Sequence, residues 1–177
     1  RVFIFGSLSG ADVRNPGSEN TGATNVASVL GKSLGLLTLF ADTAKGFVPV
    51  FVAQRLAMSD PAVALVGVSA FLGHLYPVFL RFQGGKGVAT AFGALLAIAP
   101  AAPVVLALFF GAAVLVSRIA SLGSITAALA APAVLWALSY APVFVAMGAF
   151  LGAMVIFRHR ENIKRLRSGT EPRFRAR

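Results

Sequence analysis

Apolar residues along this chain gather into long, nearly unbroken blocks at 34–54, 61–80, 88–99, 101–117, 121–139 and 142–157. A helix that crosses a bilayer needs about 20 predominantly apolar residues, fewer when short or tilted. The six blocks therefore predict six spans. The breaks between them have physical causes. Asp60-Pro61 predicts a helix start, with a cap and a proline at the first helical position. Pro100 and Pro103 separate the third block from the fourth, Arg118 to Ser121 marks a turn, and Ser139 to Pro142 separates the last two. The block 88–99 reaches only about 18 Å at 1.5 Å per residue, which predicts a half-span or a helix that starts deep in the protein. Residues 2–9 are too short to span. Residues 10–33 are polar and glycine-rich, and a structured loop of that length is usually functional.

Composition agrees with a lipid-solvated chain. Hydrophobic residues make up 57% and charged residues 12%, with a mean hydropathy of +0.80, where a soluble domain carries about 25% charge. The predicted fold class is all-α: a polytopic transmembrane helical bundle forming a single domain over residues 1–177. Cysteine is absent, which excludes disulfides and thiolate metal sites. The net charge of +10 is not a nucleic-acid footprint, because half of the lysines and arginines fall in the last twenty positions. Such residues collect on the cytoplasmic side of membrane proteins, so the C-terminus is predicted to be cytoplasmic. Counting back through six spans puts Arg118, residues 81–87 and residues 10–33 on that same side. The chain starts at Arg1, with neither a Met nor a signal-peptide pattern.

Three polar segments could carry chemistry. The first is Gly17-Ser18-Glu19-Asn20-Thr21-Gly22-Ala23-Thr24-Asn25, dense in small hydroxyls, amides and glycines that can turn donors toward a ligand. It could equally be a solvated loop capping the next helix. The second is Phe82-Gln83-Gly84-Gly85-Lys86-Gly87-Val88-Ala89-Thr90. Glycines around a lysine at the head of a helix suit anion binding through backbone N–H groups, the helix N-terminus and the ammonium. The Walker A spacing is absent. The third begins Arg158-His159-Arg160-Glu161-Asn162, where His159 and Asn162 are three apart and share a helix face. Histidine can transfer protons near neutral pH, although a basic segment after a span also suits anionic lipid headgroups. Inside the apolar blocks, Asp42 and Lys45 are spaced to pair with each other, and His74 lies near a cytoplasmic end where it could line a site.

The stretches GSENTGATN, GHLYPVFLRFQGGKGVAT and HRENIKRLRSGTEPRF, in this order, resemble the acyl-phosphate-dependent glycerol-3-phosphate acyltransferases of bacteria, the PlsY type. LGKSLGLLTLFADTAKG fits as well. The resemblance implies a seven-span protein, whose first span would lie before Arg1, in the bacterial cytoplasmic (inner) membrane. It implies phospholipid biosynthesis: transfer of a fatty acyl group from acyl phosphate to the 1-hydroxyl of glycerol 3-phosphate, giving lysophosphatidic acid and phosphate. It implies no cofactor and no metal. The expected partners are the two substrates and the lipid bilayer, with a monomer as the expected state. Carried over by motif, Ser18, His159 and Asn162 would be catalytic. Asn20, Thr24, Asn25, His74, Gly84, Gly85, Lys86 and Gly87 would bind substrate, and Glu171 would be structural. Two positions depart from the pattern. Ser28 stands where the family usually has an Arg, and Glu19 where it has a small or basic residue.

The alternative is a small transporter or channel, since Asp42, Lys45 and His74 within spans also suit an ion path. Transporters usually show paired internal repeats, and none is evident. If the acyltransferase reading holds, Ser18, Lys86 and His159 should line one cytoplasm-facing cavity, where a lipid-borne donor meets a water-soluble acceptor.

Overall fold

A computed structural model of the chain describes residues 31–174. Within them every regular element is helical: α1 (Lys32–Arg55), α2 (Asp60–Leu75), a 3-10 turn (Val78–Leu80), α3 (Val88–Ile98), α4 (Ala101–Ser117), α5 (Ala120–Ala137), α6 (Pro142–Arg158) and α7 (Arg160–Arg167). The six apolar blocks thus become six apolar helices, with boundaries close to those expected.

Several ends differ for identifiable reasons. The block 61–80 is not one helix. Proline biases its predecessor away from the helical region, and Tyr76, before Pro77, leaves it at φ −127°, so α2 stops at Leu75. Asp60 is the first helical residue rather than the cap. Ser59 holds the cap position, and Asp60 and Pro61 fill the first turn. Pro103 is not part of the third break. It lies buried in the first turn of α4, where a missing N–H costs nothing. The 11 residues of α3 rise only about 16 Å, roughly half a hydrocarbon core. By length and composition, α1, α2 with its following turn, and α5 can cross alone, and α6 with α7 makes a bent fourth.

The outer surface explains the composition. Phe40, Leu115 and Trp136 are 72%, 83% and 70% exposed, a waste of apolar area in water but ordinary contact with acyl chains. Hydroxyls within the helices bond to their own backbone: Thr38 to Leu34 O, Ser117 to Ala113 O and Thr126 to Leu122 O. These hydroxyls are thereby satisfied without water.

Inside, α1 lies along α3, and α4, α5 and α6 pack in succession. The two groups are joined by α2, which touches α1, α3 and α6. Its Phe71 and Leu75 are fully buried in a core shared with Val50, Ala94, Leu135 and Leu151. The α1–α3 contact is close enough for backbone to meet backbone. A Cβ on Gly46 would run into the carbonyl of Thr90, and a Cβ on Gly93 into that of Thr43. Small residues permit such approach between membrane helices. Thr90 then donates to the carbonyl of Asp42 at 3.0 Å across the same seam.

The seam yields a paired expectation. Gly93→Ala gains about 1 kcal/mol of helix propensity but must push two backbones apart, an overpacking cost of about 1–3 kcal/mol. It should lower the unfolding temperature in detergent. Gly111→Ala, which meets nothing, should leave it unchanged or raise it. Equal behaviour of the two variants would refute the close seam.

Candidate functional site

The glycine-rich segment is shaped by the end of α2. Arg81 and Phe82 both adopt positive φ, 51° and 63°, and reverse the chain. Phe82 N–H bonds to Pro77 O, and Gly84 N–H to Leu75 O at 3.1 Å. The loop is thereby laid against the last turn of α2 with no room for side chains. A Cβ on Gly85 would strike the Nε2 of His74. Gly87, at φ +82°, is the N-cap of α3 and abuts Phe71 and Leu75.

The third segment arrives from the other side. Helix α6 ends at Arg158, and α7 leaves at 58° to it. His159 sits at the bend rather than on the face of a continuous helix, and both His159 and Asn162 are buried. Lys86 Nζ donates to Asn162 Oδ1 at 2.6 Å. Asn162 Nδ2 in turn donates to Glu171 Oε1 at 2.6 Å. Ser121 Oγ donates to the same oxygen at 2.6 Å, and Arg165 Nε to Glu171 Oε2 at 2.7 Å. Arg158 reaches back over the glycines, with Nη2 2.7 Å from Gly84 O and Nε 3.2 Å from Gly85 O. Its guanidinium lies 5.7 Å from the Tyr76 ring centroid.

The electrostatics follow from this crowding. Burial pushes the Lys86 ammonium down to about 8, helped by Arg165 and Arg158 and opposed by Glu171. Burial also pushes His159 down to about 4, with Lys86 adding to the effect against the Val155 carbonyl bond and Glu171. His159 is therefore neutral at pH 7. Its Nδ1 lies 2.8 Å from the Val155 carbonyl, which can only accept, so Nδ1 carries the hydrogen and Nε2 keeps a free lone pair. Glu171 is held below the usual carboxylate range. Burial works against that shift, but the bonds from Ser121, Asn162 and Arg165 outweigh it. Three cations thus converge with one carboxylate. The corner carries a surplus of positive charge with a neutral imidazole acceptor beside it.

Of the residues expected at a site, Lys86, Gly84, Gly85, Gly87, His159 and Asn162 come together in this corner. His74 lies beneath Gly85, its Nδ1 3.6 Å from Asp42 Oδ1, and Asp42 pairs with Lys45 as their spacing suggested. Ser18, Asn20, Thr24 and Asn25 lie outside the described residues, so convergence with Ser18 does too. Sequence reasoning missed Arg158, Arg165 and Ser121 as members of the corner. The arginines carry no local mark that separates them from the rest of the basic tail. Ser121 follows a turn and gains a partner only when the chain returns 50 residues later.

The family model described as Glycerol-3-phosphate acyltransferase matches residues 2–169. A glycerol-3-phosphate acyltransferase of Geobacter sulfurreducens is 52% identical, over 98% of this chain and 90% of its own length. One from Aquifex aeolicus is 42% identical, over 97% and 90%. Among solved structures, the glycerol 3-phosphate form of the integral membrane acyltransferase PlsY (YgiH) superposes with a TM-score of 0.93 at 42% identity, covering 98% of this chain and 87% of that one. Its lysophosphatidic acid form gives 0.91 at 41% identity.

Glu171 generates a stability expectation. Hydrogen bonds to a charged group contribute about 1.5–3 kcal/mol, so Glu171→Gln should destabilise by about that much at pH 7. Because the folded-state pKa is depressed, this contribution is present above the unfolded value near 4.3 and is lost as pH falls through the folded value. Thermal unfolding of both proteins from pH 7 to pH 3 should show the wild-type advantage shrinking below about pH 4.5. A pH-independent gap would remove the charge from the explanation.

Proposed function

The chain belongs to the glycerol-3-phosphate acyltransferase family, and from that premise we propose that its acyl donor is a fatty acyl phosphate. The acceptor is the 1-hydroxyl of glycerol 3-phosphate, and the products are lysophosphatidic acid and inorganic phosphate. The observation that carries the reading is Lys86, raised on a glycine loop at the head of α3 and held by Asn162 beside a neutral His159.

The chemistry asks little of the protein. In an acyl phosphate the carbonyl is already activated, so no nucleophilic side chain is needed. The glycerol oxygen forms a bond to the acyl carbon, the acyl carbon–oxygen bond to phosphorus breaks, and the electron pair leaves on phosphate. Positioning and anion stabilisation remain, and both scale with how well donors are preorganised in a dry site. Lys86 and the loop N–H groups would hold the phosphate of glycerol 3-phosphate. His159 Nε2 would accept a hydrogen bond from the attacking hydroxyl and orient it. Ser18, Asn20, Thr24 and Asn25 would bind the reacting groups from the first segment. As a proton sink, an imidazole near 4 competes poorly with a phosphate whose second ionisation lies near 6. The proton therefore passes to a substrate phosphate. The protein works as a single domain and a monomer in the bacterial inner membrane, with its C-terminus and the site facing the cytoplasm, where the acceptor dissolves.

Purified protein in bilayers should release phosphate from acyl phosphate only when glycerol 3-phosphate is present. Release to water alone would sink the transfer reaction. Lys86→Ala should raise the KM for glycerol 3-phosphate about ten-fold or more, the worth of a charge-assisted contact. Lys86 of the free enzyme loses its proton above about 8, so the wild-type KM should climb with pH beyond that point. Lys86→Arg, charged throughout the range, should flatten the climb, and a steep climb in that variant would assign it to another group.

His159→Gln keeps a hydrogen-bonding side chain that cannot titrate. Its kcat should fall by less than about ten-fold, because general-base catalysis contributes about 100-fold or more. A loss of that larger size would make His159 the base.

A further inference from the structure

We propose that Arg158 is a positioning residue for phosphate recognition: its two-point grip on the carbonyls of Gly84 and Gly85 turns the N–H groups of Gly85 and Lys86 outward, toward the anion. The inference rests on the reading of the glycine loop as the phosphate site.

A trans peptide unit is planar, and its C=O and N–H point in opposite directions. No cis peptide occurs among the described residues. The carbonyl of Gly84 shares its unit with the N–H of Gly85, and the carbonyl of Gly85 shares its unit with the N–H of Lys86. Arg158 donates to both carbonyls, through Nη2 at 2.7 Å and Nε at 3.2 Å. Both N–H groups must then face away from the guanidinium. Among the described residues neither one donates to a backbone or side-chain acceptor, although Gly84 N–H, one position earlier, is bonded to Leu75 O. Two adjacent N–H groups with no acceptor among the described residues, beside an ammonium, suit an anion nest.

Glycine alone does not dictate that orientation, since a glycine peptide can flip at low cost. The loop is gripped from both sides instead. His74 fills the space under Gly85, so the backbone cannot sink. Arg158 holds the carbonyls from the other side and is itself steadied over Tyr76. It occupies the last position of α6, where the helix dipole favours a cation. Its planar fork spans two carbonyls at once, and a lysine ammonium, a point charge on a flexible stem, does not reproduce that geometry.

Lysine and glutamine at position 158 separate grip from charge. Arg158→Lys keeps the charge and loses the fork, whereas Arg158→Gln loses both. With the grip as proposed, Arg158→Lys raises the KM for glycerol 3-phosphate about ten-fold and leaves saturated kcat within about threefold. It also raises the inhibition constant of inorganic phosphate in parallel with KM, and Arg158→Gln is at least as impaired. Wild-type KM in Arg158→Lys would mean that charge alone acts and would overturn the proposal. If Lys86→Ala raises KM while Arg158→Lys does not, this inference fails and the phosphate reading stands. If Lys86→Ala is also silent, that reading fails too. A measurement on wild-type protein covers variants that do not fold. Hydrogen exchange at the amides of Gly85 and Lys86 should slow on adding inorganic phosphate, and unchanged exchange would likewise overturn the proposal.

Discussion

The carboxylate of Glu171 is the interaction on which the rest of the site depends. Lys86, Arg158 and Arg165 are drawn into one corner, where they would repel one another without a counter-charge. Glu171 supplies it and leaves few of its acceptor positions idle, with one oxygen bonded to Ser121 and Asn162 and the other to Arg165. Through these bonds a single side chain ties the start of α5, helix α7 and the C-terminal tail together, and through Asn162 it reaches the glycine loop. The tail is also fastened by the Phe174 N–H, which bonds to Arg118 O at 2.7 Å. The one carboxylate still leaves a surplus of positive charge. That surplus is what the proposed substrate phosphate would offset.

The surroundings divide the work by solvent. On the lipid side, apolar residues face outward, and the hydroxyls of Thr38, Ser117 and Thr126 bond to their own helices. Deeper in, the cost of burying charge is met in pairs: Asp42 faces Lys45 and lies near His74. That cluster had suited an ion path, but its charges are directed at one another. His74 extends from it to the underside of Gly85, so a charged group in α1 and the backbone of the site are joined through one imidazole. The glycines at both seams serve the same end. Between α1 and α3 they let backbones touch, and at the loop they let the chain rest on α2.

Reactivity and geometry are matched. The activated acyl donor proposed above would need no strong base or nucleophile, and among the described residues the imidazole at the α6–α7 bend is neutral and weakly basic. What the corner offers is donors fixed by packing and hydrogen bonds. Burial and the nearby ammonium keep His159 neutral, so it adds no further cation to the corner.

The membrane-spanning architecture was legible in the sequence. A run of apolar residues is a local property that lipid solvates residue by residue, and prolines and polar turns end it wherever they occur. The glycine loop carrying Lys86 at the head of a helix was legible for the same reason, since glycine, lysine and a following helix are contiguous. The grouping of Lys86 with His159 and Asn162 could be argued from charge bias, but only as a shared side of the membrane. Tertiary structure alone decided the rest. The bend at His159 and the burial that weakens its imidazole depend on what packs against them. Arg158 and Arg165 look like the arginines around them until a partner from another segment selects them. Ser121 is unremarkable in sequence and Glu171 lies 50 residues from it, and with Asn162 they become one network only when the tail folds back. Hydrogen bonds of that kind hold between groups the chain order keeps apart, so no local pattern can encode them.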